Sequence, residues 1–189
     1  MKNSILLNIA IMLGIAFFGY AVTLSLENQK PKIITQPDAP LEEIAEDRMV
    51  PSFTFTATDG KEYSIRDFKD KIIILNFWAS WCPPCIKEFP HFLKAAKLYK
   101  NEIVFIGISS DLSQGKMTGF LNKLKTSFEQ PNIFMALDKD QNITKNLFQT
   151  YRLPETIIID QNQNMRKKII GADWTYTNLD QQIQTLIKN

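Results

Sequence analysis

The chain has 189 residues, 44% of them hydrophobic, with 22 Lys and Arg against 20 Asp and Glu and a formal net charge of +2. That near balance argues against nucleic acid as a partner, and the length suits one domain with appendages. With two cysteines and one histidine, the chain can build neither a disulfide framework nor a four-ligand zinc site.

From the N-terminus, residues 3–26 carry no charged side chain. Ile5 to Leu26 would span roughly 33 Å as a helix, against a bilayer core of about 30 Å. Lys2 ahead of the run predicts a cytoplasmic N-terminus. The competing reading is a cleaved signal peptide, whose apolar region is usually roughly 7–15 residues. Gly19-Tyr20-Ala21 would serve as its small-x-small cleavage site. The run continues through Val22 and Leu24, which favours an uncleaved anchor over residues 1–26. Either reading carries the rest of the chain out of the cytoplasm, to the periplasmic side of the inner membrane. Residues 27–49 are polar, contain Pro31, Pro37 and Pro40, and read as a tether.

The folded domain is expected over residues 50–189. Phe53, Phe55 and Ala57 alternate with Thr54 and Thr56, which predicts a half-buried strand. Asp59-Gly60 is a hairpin turn signal, and Lys61 to Ile65 returns as the second strand. Ser64 to Phe68 suits a short helical turn. Ile72 to Trp78 is a buried strand, and Cys82 starts a helix to about Tyr99 with Ile86, Phe89, Leu93 and Ala96 on one face. Pro90 inside it should produce a kink. A second buried strand covers Glu102–Ser109. The helix predicted over Ser113–Ser127 buries Met117, Phe120, Leu121 and Leu124. A short strand at Asn132–Leu137 precedes a helix over Asn142–Tyr151, with Ile143, Leu147 and Tyr151 on one face. Thr156–Asp160 and Met165–Ile170 pair as a hairpin. The last helix, Asn178–Lys188, buries Leu179, Ile183, Leu186 and Ile187. Strands separated by helices imply parallel pairing and the closing hairpin is antiparallel. The fold class is therefore α/β, a mixed central sheet with helices on both faces and an added N-terminal β-hairpin.

The only cysteines, Cys82 and Cys85, lie where the first buried strand gives way to a helix. A C-x-x-C there reads as a redox motif. Cys82 sits at a helix N-cap position, where backbone N–H groups and the helix dipole favour a thiolate. It is expected to be the exposed attacking thiol, and Cys85, one turn in, the buried resolving thiol. Pro83 and Pro84 lack N–H groups, so two donors that could stabilise the thiolate are missing. A less stable thiolate means a lower reduction potential, which argues for a reductant. Ile86 stands where haem attachment requires His.

The run Leu75-Asn76-Phe77-Trp78-Ala79-Ser80-Trp81-Cys82-Pro83-Pro84-Cys85, with Glu88-Phe89-Pro90 after it, resembles the membrane-anchored thiol–disulfide reductases of the TlpA/ResA/CcmG group, in the thioredoxin superfamily. The resemblance covers about residues 50–189. It implies a thioredoxin fold with an N-terminal hairpin and a redox-active Cys82–Cys85 disulfide; nothing in the sequence points to a further cofactor or a metal. It implies that Pro154 is the cis-proline against which substrate chains pair. It also places a buried acid at Glu88, able to exchange protons with Cys85. The bland alternative is a surface glutamate paired with Lys87 or Lys94. Asn76 stands where thioredoxin has an Asp and cannot take up a proton. Glu155, in Pro154-Glu155-Thr156, is the second candidate acid, and the tripeptide resembles the cytochrome c maturation branch. Trp81, Pro154 and Glu155 are the residues expected to meet substrate. Trp78 and Trp81 are expected around the disulfide, and Trp174 in the core or at its rim.

The resemblance implies protein thiols and disulfides as partners, apocytochrome c first and a copper-site thiol of an oxidase subunit next. A DsbD- or CcdA-like membrane protein would supply electrons. A copper-handling thiol module is the non-enzymatic alternative, which copper titration of the reduced domain would separate. A peroxiredoxin-like peroxidase needs Pro and Thr where Leu75 and Ala79 stand. His91 reads as a surface residue, and Arg166-Lys167-Lys168 as protection of an edge strand. The stretch Asp138–Asn142 imitates a calcium loop but lacks its Gly and Glu.

Overall fold

The computed structural model describes residues 20, 48–127 and 130–188. Apart from Tyr20, the predicted membrane run lies outside the described residues, as does the tether up to residue 47. Among the described residues no helix is long and apolar enough to cross a membrane. Arg48–Met49 form a short strand, β1, at the end of the stretch expected to be tether. These two residues pair with Met165 and Asn164.

Thr54–Thr56 (β2) and Glu62–Ser64 (β3) form the expected hairpin as a separate two-stranded sheet. Its turn relies on Gly60, at φ +81°, a left-handed conformation that costs glycine little. Ser64 caps the short 3₁₀ turn Ile65–Phe68 through a capping box with Asp67.

β4, Ile72–Trp78, is buried at all seven positions. Strand side chains alternate between faces. Ile72, Ile74 and Trp78 accordingly join one apolar layer, and Ile73, Leu75 and Phe77 the other. Asn76 falls on the Ile74–Trp78 face. Helix α1, Pro83–Leu98, follows and runs through Pro90. β5 (Ile103–Ser109) lies parallel to β4, and β6 (Ile133–Leu137) parallel to β5. β7 (Glu155–Ile159) and β8 (Asn164–Ile170) return antiparallel. The six strands stand in the order β1-β8-β7-β4-β5-β6.

α1 and the C-terminal helix share one layer with the even side of β4, where Phe89, Phe92, Leu179 and Ile183 are buried. The opposite layer holds the hairpin's Phe53 and Phe55, Phe68 of the 3₁₀ turn, and Ile143 and Leu147 from a helical turn after β6. Helical segments thus cover both faces, as expected. Gly107 in β5 permits a close approach. A Cβ there would lie 2.5 Å from Met135 Sδ and 3.0 Å from Trp78 Nε1. Gly107→Ala is expected to destabilise the fold by about 1–3 kcal/mol, read as a lower midpoint in denaturant melts.

Several expectations are corrected. The helix predicted to Ser127 ends as α2, Gln114–Leu121, and continues as a 3₁₀ segment, Asn122–Ser127, kinked at Leu124. Of its predicted buried set, only Met117 is fully buried. The helix predicted over Asn142–Tyr151 is one π-type turn, Asn142–Leu147. Gln149 takes a positive φ of 54°, which turns the chain out of the helix and leaves Tyr151 74% exposed. Asp138, in the stretch already set aside as a calcium loop, has a local role. It accepts from the N–H groups of Ile143 and Thr144 and from the Thr144 hydroxyl, and so holds that turn. The final helix, α3, spans Tyr176–Lys188 and leaves Ile187 exposed. His91 is half-buried rather than on the surface, with its ring 5.5 Å from Trp174 and 6.2 Å from Tyr176.

Candidate active site

The site forms where β4 ends. Trp78 is the last residue of the strand, and Ala79 to Trp81 carry the chain to Cys82, the N-cap of α1. Asp111, just after β5, fixes this loop. It accepts from Ser80 N at 3.1 Å, from Ser80 Oγ at 2.7 Å and from Ser109 Oγ at 2.7 Å. Asp111 is buried, and the sequence reading passed over it. Its only signal was the polar Ser-Ser-Asp run at the end of a buried strand.

Cys82 and Cys85 are joined by a disulfide, with their Cα atoms 5.3 Å apart. Pro83 and Pro84 fill the first two helical positions, so the next backbone donor is Cys85 N–H, which reaches Cys82 Sγ at 3.3 Å. Cys82 is only 4% exposed and Cys85 fully buried. The order matches the expectation of an outer and an inner cysteine, but the outer sulfur is less open than predicted. It lies in the wall of a pocket of about 410 Å³ that Trp81, Pro83, Pro84, Lys145, Tyr151 and Leu153 also line. Trp81 and Tyr151 there are 63% and 74% exposed, an apolar rim beside a sulfur.

The Leu153–Pro154 peptide bond is cis. Pro154 is buried and its carbonyl accepts from Gly171 N at 2.9 Å. Leu153, one residue earlier, is the one that lines the pocket. Glu155 begins β7 and is also buried. Its carboxylate accepts from the Thr150 hydroxyl and from Lys168 Nζ, the latter at 3.0 Å. Lys168 therefore does more than protect an edge: it neutralises a buried acid on the neighbouring strand.

Glu88 is buried one turn after Cys85, at 2% exposure, so the surface-glutamate reading is set aside. Asn76 Nδ2 donates to its Oε1 at 2.8 Å and Trp174 Nε1 to its Oε2 at 3.2 Å. Asn76 also donates to Thr156 Oγ1 at 3.0 Å. Burial disfavours the carboxylate and pushes the Glu88 pKa from 4.5 to about 8, while the two N–H donors oppose it. Burial is the larger effect. Asn76, excluded from the sequence reading as unable to titrate, thus has a place as a donor. Trp174 is buried in the core, as expected, but nothing in its neighbours predicts that it meets a side chain 86 positions earlier.

Among the described residues no cluster of three or more His, Cys, Asp or Glu could hold a metal ion. The site thus holds a disulfide pair, an apolar-rimmed pocket at its outer sulfur and, one helical turn after its inner cysteine, a buried carboxyl with a raised pKa.

The Redoxin family profile matches residues 44–183. Thiol-disulfide oxidoreductase ResA of Bacillus thuringiensis (strain Al Hakam) is 31% identical over 122 residues, covering 64% of this chain and 67% of the relative. ResA of Geobacillus thermodenitrificans is 23% identical over 187 residues, or 98% of this chain and 97% of that one. A crystal structure from Chlorobium tepidum, described as a thiol:disulfide interchange protein DsbE, superposes with a TM-score of 0.65 at 25% identity, covering 77% of this chain and 98% of that one.

Proposed function

We propose, from the premise that this chain belongs to the Redoxin family and is a thiol–disulfide oxidoreductase, that it works as a reductant of protein disulfides outside the cytoplasm, tethered by its N-terminal segment. In the reduced protein the Cys82 thiolate attacks a substrate disulfide, releasing one substrate sulfur as a thiolate and forming a mixed disulfide. Cys85, giving its proton to the Glu88 carboxylate, then attacks Cys82 Sγ. The second substrate sulfur leaves as a thiolate, the Cys82–Cys85 disulfide is closed, and both substrate thiolates take protons from water. The substrate gains two electrons and the enzyme loses two. A membrane electron donor of DsbD or CcdA type restores the dithiol. The substrate class is protein thiols and disulfides, with an apocytochrome c-like protein first and an oxidase subunit second. Trp81, Leu153 and Tyr151 supply apolar contact for a chain laid beside Cys82, next to the cis peptide bond at Pro154.

The observation that supports the reducing direction is the donor count at the N-terminus of α1. Pro83 and Pro84 occupy the first two positions, and the contact that remains for Cys82 Sγ is Cys85 N–H at 3.3 Å. A thiolate with fewer donors is a poorer leaving group and a less stable product of reduction. The reduction potential of the full chain, equilibrated against thiol–disulfide buffers, is expected near or below about −200 mV. Thioredoxin lies at about −270 and DsbA at about −120 mV. Pro84→His restores an N–H and adds an imidazole, and is expected to raise the potential by about 30 mV or more. A native value near the oxidant end, or no change in the variant, would reverse the assignment to a disulfide donor.

A further inference from the structure

The Glu88 carboxylate is held on both oxygens by N–H groups from two parts of the fold. Asn76 Nδ2, on β4, donates to Oε1, and Trp174 Nε1, in the segment before α3, donates to Oε2. The indole is itself fixed. Its ring centroid lies 5.3 Å from Phe92 and 5.5 Å from His91, both on α1. Helix α1 thus supplies the carboxylate and two of the rings that hold its donor. We propose that Trp174 is a positioning residue of the redox site: its indole N–H fixes one oxygen of Glu88 and with it the pH at which that group exchanges a proton with Cys85. This rests on the reading of Glu88 as the proton-exchanging acid.

Two effects oppose each other at Glu88. Burial favours the neutral carboxyl, and a donated N–H favours the carboxylate. The groups around Glu88 leave burial and N–H donation in charge. On α1 stand Cys82, Cys85 and, one turn on, His91, whose own pKa is lowered by burial and by Lys94. On β4 stands Asn76. On β7 Thr156 accepts from Asn76, and the Glu155 carboxylate is engaged by Thr150 and Lys168. From the segment before α3 comes Trp174. The shift at Glu88 comes from burial, Asn76 and Trp174, with no charged neighbour among its causes. Removing the indole N–H therefore raises the affinity of Glu88 for its proton, and fewer molecules hold the base at neutral pH.

The test uses the full chain and a protein disulfide such as insulin, with dithiothreitol as electron source. Turnover is measured against pH for the native chain, Trp174→Phe, Glu88→Gln and the double variant. Phenylalanine keeps a ring between Phe92 and His91 and removes only the donor. The native rate is expected to rise through a limb near pH 8, set by Glu88. In Trp174→Phe that limb should move up by about one pH unit, the size expected for losing one hydrogen bond to a charged group, with the plateau above it kept. In Glu88→Gln the limb should vanish, and the tryptophan change should then move nothing. If Glu88→Gln lacks the limb but Trp174→Phe leaves it in place, the Trp174 proposal is wrong and the Glu88 reading stands. If Glu88→Gln keeps the limb, the Glu88 reading itself fails. A measurement on the unmutated indole guards against a variant that does not fold. The Trp174 indole N–H resonance should titrate with the midpoint of the Glu88 carboxyl carbon and stop doing so in Glu88→Gln. An indole resonance that stays still through that midpoint would overturn the proposal.

Discussion

Cys82→Ser is expected to abolish disulfide reduction, by at least about a thousandfold, because the attacking group is removed outright. Cys85→Ser is expected to stop one step later. Cys82 still attacks and forms the mixed disulfide, but no second thiol displaces the substrate. The two variants therefore separate by what they accumulate: free substrate disulfide in the first, a covalent complex resolved by added dithiothreitol in the second. The proposed order of events has support in the geometry. Cys82 lines the pocket, whereas Cys85 is fully buried and donates its N–H to the outer sulfur. Non-reducing gels and intact-mass measurement check it. Turnover by Cys85→Ser at the native rate, or trapping by Cys82→Ser instead, would reverse the roles.

Glu88→Gln is expected to slow turnover by about a hundredfold at and above pH 8, the usual contribution of a positioned general base. It should also change the pH dependence of stability, in a direction that can be worked out. The Glu88 pKa is about 8 in the fold against an ordinary 4.5. Between those values the folded chain holds a proton that the unfolded chain has lost. Stability therefore falls as pH rises through that window, is fully present below about pH 4.5 and levels off above about pH 8. The fall amounts to about 4–5 kcal/mol if the whole shift is expressed. Glutamine carries no charge, so the variant should be flat where the native chain declines, and more stable than it at pH 9. Denaturant melts across pH 5–9 measure this. Equal slopes in the two proteins would mean that Glu88 is not the buried acid that the native chain titrates.

Part of this site is legible residue by residue. Trp81 to Cys85 fall at a strand–helix junction, and that placement rests on local patterns alone. The buried strand Ile72–Trp78 announces itself by unbroken apolarity, the helix by its spacing, and the first-turn prolines by what they lack. The cis-proline and the buried acid come from the likeness of the surrounding motif to a family, and periodicity would have returned neither.

Ile86 and Glu88 show where local reasoning stops. Ordinary partition puts the isoleucine inside and the glutamate outside. The structure does the reverse: Ile86 is 38% exposed and Glu88 2%. The face of α1 that turns inward is set by Cys85, Phe89, Phe92 and Ala96 against the sheet. Glu88 falls within that arc and Ile86 outside it. Tyr151 is misplaced for a related reason, because Gln149 leaves the helix before the period can be completed.

The class of chemistry was readable from the residues alone, since two thiols spaced two apart at a strand–helix junction point first to opening and closing a disulfide. So was the buried strand Ile72–Trp78, whose pleat alone splits its side chains between two layers. Only the tertiary structure decided how the site is tuned. A carboxyl's proton affinity depends on how much water reaches it and on which donors point at it. Those donors, Asn76 and Trp174, stand 12 and 86 residues from Glu88 along the chain. Desolvation and hydrogen bonding of this kind arise from surfaces that meet through folding, and no spacing along one segment encodes them.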